Sequence, residues 1–213
     1  MRVENWGQVP YLEGHARQLE LVHAVYKGAE ERIIICSHHP VVTLGKKSTA
    51  EDLLGWSGEV VQVERGGKAT YHGPGQLIAY PIIDLRRRGQ DIHLYLRNLE
   101  QAMIQLLSGL GLSASGNPTP NNPEQTGVWV GQHKIGSIGV AVKRWITYHG
   151  LALNLYHEPL AFSGINPCGF NPSIMTSLEA LTSTKVQRST IEAQVSQSLL
   201  RLLAATSQNS LTL

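Results

Sequence analysis

An α+β fold, a mixed and partly antiparallel sheet with packed helices, is predicted by three features of this sequence. Short runs of branched apolar and aromatic residues at 32–37, 59–64 and 76–82 read as strands. Three more candidates, Gly127 to Val130, Lys134 to Val142 and Trp145 to Tyr156, follow one another over connections so short that they favour antiparallel pairing. Apolar residues recur at helical spacing before, between and after these strands.

In chain order, Ala16, Leu19, Val22 and Tyr26 form the apolar face of a first helix, which Gly28 interrupts and which is expected to pack on the sheet. Cys36 ends the run Ile33-Ile34-Ile35, where a small sulfur side chain suits the core. His38-His39-Pro40 leads into a strand-edge segment, Val41 to Gly45, and adjacent histidines on a strand point to opposite faces and do not share a metal ion. The strand at 59–64 runs into a strip rich in glycine, Arg65 to Gln76. Glycines there let the backbone approach a ligand and Pro74 stiffens the return, which predicts a shaped wall; the plainer alternative is a tight polar connection. The strip has neither the phosphate-loop nor the dinucleotide-binding spacing. Arg86-Arg87-Arg88 reads as a solvated turn, with contact to an acidic carrier protein as the alternative. Asp91 is placed to cap a second helix whose buried face is Ile92, Leu96, Leu99, Met103 and Leu106, and Gly109 and Gly111 end it. Residues 113–124, with Gly116, three prolines and three asparagines, predict a loop able to cover a site. His149 and Asn154 lie five positions apart and face opposite ways on a regular strand, unless a bulge at Gly150 changes the phase. Ser189-Thr190-Ile191-Glu192 fits a capping box that opens a final helix with Ile191, Val195, Leu199 and Leu202 buried.

With 213 residues, 42% of them hydrophobic, the chain can bury a substantial core as one domain, residues 1–213, though two small ones are possible. A net charge of +2 falls short of the basic excess of a nucleic-acid-binding protein. No segment approaches membrane-spanning length, and Met1 to Gly14 has neither the basic start nor the apolar run of a secretory signal, so a cytoplasmic location is the expectation. Two distant cysteines make no disulfide scaffold or zinc motif, and no compact set of histidine, cysteine and carboxylate is evident, so no metal is expected. Without a heptad or dedicated interaction segment, a monomer is expected.

Cys168 carries the chemistry. Ile165-Asn166-Pro167-Cys168-Gly169 is a rigid, turn-forming segment suited to presenting a thiol. A thiolate attacks a thioester readily, and a partly desolvated lysine such as Lys134 can take the thiol proton and return it to the leaving sulfur, provided tertiary folding brings the two together. A surface ion pair is the competing role for Lys134. In the strip, Arg65 and Lys68 are candidates to attract an anionic substrate arm and His72 to orient a carbonyl, against ordinary roles as solvated cations and a locally satisfied histidine.

Arg65-Gly66-Gly67 with Thr70-Tyr71-His72-Gly73-Pro74-Gly75-Gln76, Gly127-Val128-Trp129-Val130, Lys134-Ile135-Gly136-Ser137-Ile138-Gly139, His149-Gly150 with Leu153-Asn154, and Ile165 to Gly169 together closely resemble the lipoyl(octanoyl) transferase family of lipoate biosynthesis. His39-Pro40 and Thr43-Leu44-Gly45 extend the match over roughly residues 10 to 182. The resemblance implies the catalytic-domain fold of the biotin and lipoate protein ligases. It also implies transfer of octanoyl from the phosphopantetheine arm of acyl carrier protein to a lysine of a lipoyl-bearing domain, as in 2-oxoacid dehydrogenases and the glycine cleavage H protein. It maps the nucleophile to Cys168 and its partner to Lys134. It maps the acyl-binding wall to Arg65, Gly66, Gly67, Lys68, Ala69, Thr70, Tyr71 and His72, with Ser137, Ile138, Gly139, His149, Gly150 and Leu151 nearby. No permanently bound cofactor is implied. Tyr71 and Ile138 are expected nearer the aliphatic tunnel than Arg65, and the oxyanion donors are expected among backbone amides near Cys168 or along the wall. Two rivals remain: an ATP-dependent acid ligase, which would need no nucleophilic cysteine, and a non-catalytic module that only recognises the carrier or the lipoyl-bearing domain.

Overall fold

The computed structural model describes residues 1–117, 125–183 and 185–205. Its main sheet has seven strands in the order β1-β2-β6-β10-β9-β8-β7. β1 (Arg2–Val9) runs parallel to β2 (Arg32–His38), and every other neighbouring pair in this sheet is antiparallel. The other members are β6 (Gln76–Ile82), β7 (Ala114–Ser115), β8 (Gly127–Val130), β9 (His133–Lys143) and β10 (Ile146–Asn154). A second sheet, β4-β3-β5, consists of β3 (Val41–Leu44), β4 (Glu59–Gln62) and β5 (Thr70–His72), with β3 parallel to β4 and antiparallel to β5. The mixed α+β architecture is as predicted.

The main sheet is covered on both faces, so β2 and β6 carry continuous apolar runs, Ile33 to Cys36 and Leu77 to Ile82, rather than alternating ones. Ile33, Ile35, Leu77 and Ala79 face α2 (Ile92–Gly109) and α4 (Arg188–Ala205), whereas Ile34, Cys36, Ile78, Tyr80 and Ile82 face α1 (Tyr11–Tyr26). Cys36 is core, as expected, and burial pushes its thiol well up.

The helices keep most of the predicted faces, including Val22, Leu99, Met103, Leu106, Ile191, Val195 and Leu199, and differ at single positions. The buried stripe of α1 is Tyr11, Gly14, Gln18, Val22 and Val25, while Ala16 and Tyr26 are exposed. The helix begins at Tyr11, five residues before Ala16. In α2, Asp91 does cap, accepting from the Leu94 amide at 2.8 Å, but Tyr95 takes the buried place expected of Leu96. In α4, Leu203 is buried in place of Leu202, and the helix starts at Arg188. Ser189 therefore lies inside the helix and no capping box forms; the Glu192 carboxylate accepts instead from Arg188 at 3.3 Å and Asn5 at 2.9 Å.

Two sequence expectations fail for tertiary reasons. Arg88 is not solvated: its guanidinium sits on the buried Glu31 carboxylate and donates to the Leu203 carbonyl at 2.9 Å, tying α4 to the turn before α2. β1 was not anticipated, because Arg2 to Val9 is an edge strand of mixed polarity, bulged at Gly7, whose identity comes from its partner β2. Of the predicted loop at 113–124, residues 118–124 lie outside the described residues. No helix among the described residues is long and apolar enough to cross a membrane.

Candidate active site

Pro81, next to the end of β6, has no amide hydrogen to give, so the ladder to β10 cannot run unbroken. It pairs regularly as far as Leu151 opposite Ala79, lapses, and resumes in the same phase at Asp84 opposite Ile146. Thr147 bridges the gap, its hydroxyl donating to the Pro81 carbonyl at 2.7 Å and accepting from the Ile83 amide at 3.1 Å. Within the lapse His149 takes a left-handed backbone (φ 55°), and its free amide donates to Gln18 of α1 at 2.8 Å. His149 is thereby turned into a cleft, while Asn154 lines a separate cavity on the far side of the strip. The two residues line different cavities, but the left-handed backbone changes the phase at His149, turning its ring to the same face as that of its neighbour Tyr148, on which it stacks at 4.9 Å.

One wall of the cleft is the strip between β4 and β5; the other is formed by Ser137, Ile138 and Gly139 of β9 with His149, Gly150 and Leu151 of β10. Arg65 is buried and fixes the strip from within. Its guanidinium donates to the carbonyls of Thr43 (2.7 Å), Gly66 (3.0 Å) and Lys68 (2.8 Å) and to the Thr43 hydroxyl (2.8 Å). Those bonds occupy the groups that would have drawn in an anionic arm, although the side chain also lines the cleft. Along β5 the pleat sends Thr70 and His72 into the cleft and Tyr71 away from it. The expectation for Tyr71 is therefore corrected: its ring packs edge-on to Trp56 and Phe162, and its hydroxyl donates to Glu158 at 3.4 Å. Ala69 is also core rather than lining, and its carbonyl accepts from the Cys168 amide at 2.8 Å. Ile138 lines the cleft as expected, but Arg65 does so too.

Tyr11, Tyr80, Thr126 and Ala152 complete the lining and were not anticipated. Tyr11 preceded the assumed helix start; Tyr80 was recoverable from strand alternation, since it shares a face with Ile78. The aromatic floor is neutral. Burial holds His38 down to about 4 and, with the neighbouring His38 and Arg65 adding to it, His72 down to about 3; it also holds His149 well below the usual range and raises Tyr11 and Tyr80. His38 donates from Nδ1 to the Val9 carbonyl (2.9 Å), which leaves Nε2 to accept from the Tyr80 hydroxyl (2.8 Å). The Gln76 amide is oriented by donating to Asn154 (2.8 Å), so its oxygen accepts from His72 Nδ1 at 3.1 Å. Neutral His72 then carries only an acceptor at Nε2 and cannot donate to a substrate carbonyl, contrary to the role considered for it.

Cys168 also lines the cleft, half-buried, in a 3-10 turn at Pro167–Gly169. Its backbone is left-handed (φ 56°, ψ 22°), unusual for a non-glycine residue. Two anchors hold it there: the Ala69 carbonyl, and Asn166, whose amide and side chain donate to the carbonyls of Asp52 and Glu51, each at 3.0 Å. The amides of Cys168, Gly169 and Phe170 are all consumed by carbonyls. Oxyanion donors are therefore not to be sought in that turn.

Lys134 is completely buried, which removes the surface-ion-pair alternative. Its carbonyl accepts from Thr176, and the chain beyond Cys168 runs beside it as a bridge between Lys134 and Met175. The side chain passes under Gly127, where a Cβ would meet Lys134 Cε at 2.9 Å and the Gly136 carbonyl. The side-chain nitrogen donates to the Thr126 carbonyl at 2.9 Å and lies 5.4 Å from the Trp129 ring and 5.8 Å from that of Phe170, two residues beyond the thiol. The fold thus joins the two distant segments, with Thr126 and Cys168 both at the cleft. In this state the hydrogen bond of Lys134 goes to Thr126 and not to the sulfur. Lys134 itself does not line the cleft.

Among the described residues, His15, Glu64 and His149 bring ligand atoms within 4.8 Å of one another, a grouping with no counterpart in the sequence reading. They are too far apart in sequence to form a motif.

Residues 10–200 match the family described as the lipoyl protein ligase A/B catalytic domain. Among similar proteins, an octanoyltransferase of Bdellovibrio bacteriovorus is 39% identical, with 94% of this chain and 97% of that one covered. One of Geobacter sp. strain M21 is 45% identical, with coverage of 81% and 82%. Solved structures of similar fold include a lipoate-protein ligase A bound with ATP (TM-score 0.67, 19% identity, 96% and 84% covered). A biotin protein ligase from Aquifex aeolicus gives a TM-score of 0.57 at 10% identity, with 98% and 73% covered.

Proposed function

The chain belongs to the lipoyl protein ligase A/B catalytic domain family and acts as an octanoyltransferase in lipoylation, and on that premise we propose that the transfer passes through an octanoyl thioester on Cys168. The observation that carries this reading is the placement of Cys168. A half-exposed thiol is held in a left-handed turn at a cleft lined by Ile138, Leu151 and the buried, neutral ring of His72.

The donor is octanoyl on the phosphopantetheine arm of acyl carrier protein. Lys134, moving from its bond with Thr126, takes the thiol proton as the sulfur of Cys168 attacks the thioester carbonyl. The tetrahedral intermediate collapses by breaking the bond to the carrier sulfur, which leaves as a thiol with the proton from Lys134. The amine of a lysine on a lipoyl-bearing domain then attacks the acyl-enzyme, loses its proton to Lys134, and expels Cys168, leaving an amide. Each intermediate places charge on oxygen, and the donors that meet it are assigned to the strip, since the amides of the cysteine turn are engaged. The eight-carbon tail lies along Ile138 and Leu151. At about 0.8 kcal/mol per buried methylene, the fit of a few carbons governs chain-length selectivity. No ATP is needed, because the donor is already activated.

Incubating the protein with octanoyl-acyl carrier protein alone, without ATP, tests this by intact-protein mass spectrometry. One octanoyl group should appear on the wild type and disappear on mild hydroxylamine treatment, and Cys168→Ser should yield no hydroxylamine-labile adduct. An unmodified wild type, or transfer that proceeds only with ATP, would favour ligation instead.

A further inference from the structure

Three elements meet at one end of the cleft and bring together side chains that take no covalent or proton-transfer step in the acyl transfer described above. His15 comes from α1, Glu64 lies at the start of the strip, and His149 comes from the interrupted stretch of β10. His15 Nε2 is 3.1 Å from Glu64 Oε2, and His149 Nε2 is 3.9 Å from the same oxygen. Both ring nitrogens are buried, yet neither makes a hydrogen bond; the His15 contact is short, but the carboxylate lies off the line of the ring nitrogen. His149 is 2% exposed, so its nitrogen is withdrawn from water without a protein partner. A buried polar atom in that condition is costly and points to a missing ligand.

We propose that His15, Glu64 and His149 form a binding site for a divalent transition-metal ion, Zn²⁺ by preference, at the edge of the acyl cleft. Two imidazole nitrogens and one carboxylate oxygen are a three-ligand set that zinc accepts with a fourth position left open. The lone pairs must converge on one ion. The two rings are stacked at 5.3 Å and 14°, so convergence requires rotation of one of them. His15 is the one to turn, because it is partly exposed, whereas His149 is fixed by burial and by the bond from its amide to Gln18. Glu64 is half-exposed and free to follow. A bound ion would link α1, the strip and β10, three of the elements that shape the cleft.

Zn²⁺ binding to the intact protein, measured by isothermal titration in a non-coordinating buffer, tests the proposal, with Co²⁺ absorption as an independent readout of coordination. One ion should bind to the wild type and to Cys168→Ser alike. His15→Ala and Glu64→Gln should each weaken binding by at least about tenfold, the loss typical even of an outer-shell partner. Co²⁺ should give the visible bands of a low-symmetry nitrogen and oxygen site without thiolate charge transfer. Zn²⁺ should also raise the melting temperature of the wild type but not of Glu64→Gln. Binding lost in Cys168→Ser, binding unchanged in His15→Ala, or no saturable binding to the wild type would each overturn the site.

Discussion

Cys168 occupies a conformation costing on the order of 1 kcal/mol or more for a residue with a Cβ, and two anchors from other parts of the chain hold it there. The Asn166 side chain reaches the 50–52 turn, and the Ala69 carbonyl ties the thiol's own amide to the strip. Lys134 is the complementary case, an amine wholly enclosed yet bonded to one carbonyl and flanked by two aromatic rings. If it manages the protons of both half-reactions, Lys134→Ala should leave octanoyl-carrier binding intact while single-turnover acylation of Cys168 slows by about 10²–10⁴-fold, the usual contribution of a general base. Rapid-quench measurement of the acyl-enzyme, with circular dichroism to verify folding, checks this; an unchanged rate in a folded variant removes Lys134 from the mechanism.

At the scale of the element, the break in the β6–β10 ladder is what aims His149, and it depends on close backbone approach. A Cβ at Gly150 would collide with the Ala79 carbonyl and come within 2.9 Å of Pro81 Cδ, both in the middle of the sheet and neither able to swing aside. At Gly66 the nearest atom to a new Cβ is the Val140 carbonyl, 3.9 Å away. Gly150→Ala should therefore lower the unfolding free energy by about 1–3 kcal/mol, as overpacking does, while Gly66→Ala should stay within about 0.5 kcal/mol. Equilibrium urea denaturation distinguishes them, and equal stability of the two variants would contradict the assigned contact. The same ladder shows why the sequence was readable here only in part. The spacing of His149 and Asn154 indicated opposite faces, but nothing in the spacing said that Pro81 would interrupt the neighbouring strand.

For the molecule as a whole, burial of neutral imidazoles couples stability to pH. His38 and His72 are held to about 4 and about 3 in the fold, chiefly by burial, against 6.5 when exposed. As pH falls below 6.5 the unfolded chain takes up protons that the native state refuses. Their contribution is therefore fully present above 6.5 and is lost progressively down to the native values, at up to about 1.4 kcal/mol per pH unit for each histidine. Urea midpoints measured from about pH 7 to about pH 4.5 should fall steadily, with a shallower fall in a folded His38→Gln variant. A midpoint that does not move would show that these rings are not neutral in the fold.

By itself the sequence determined the α+β class, the strand runs of the central sheet, the cap at Asp91, the core place of Cys36, and most of the residues that line the cleft. These are local matters of periodicity, turn chemistry and side-chain volume, or ordered motifs that resemble a known family. Only the tertiary structure decided which way each side chain faces: Tyr71 leaves the cleft and Arg65 becomes a clamp, while Arg88 is buried on Glu31 and Ser189 fails to cap. It also decided the enclosure of Lys134 beneath Gly127 and the meeting of His15, Glu64 and His149. Contacts between residues far apart in the chain depend on how the sheets and helices pack, and spacing along one strand or helix carries no information about what lies across from it.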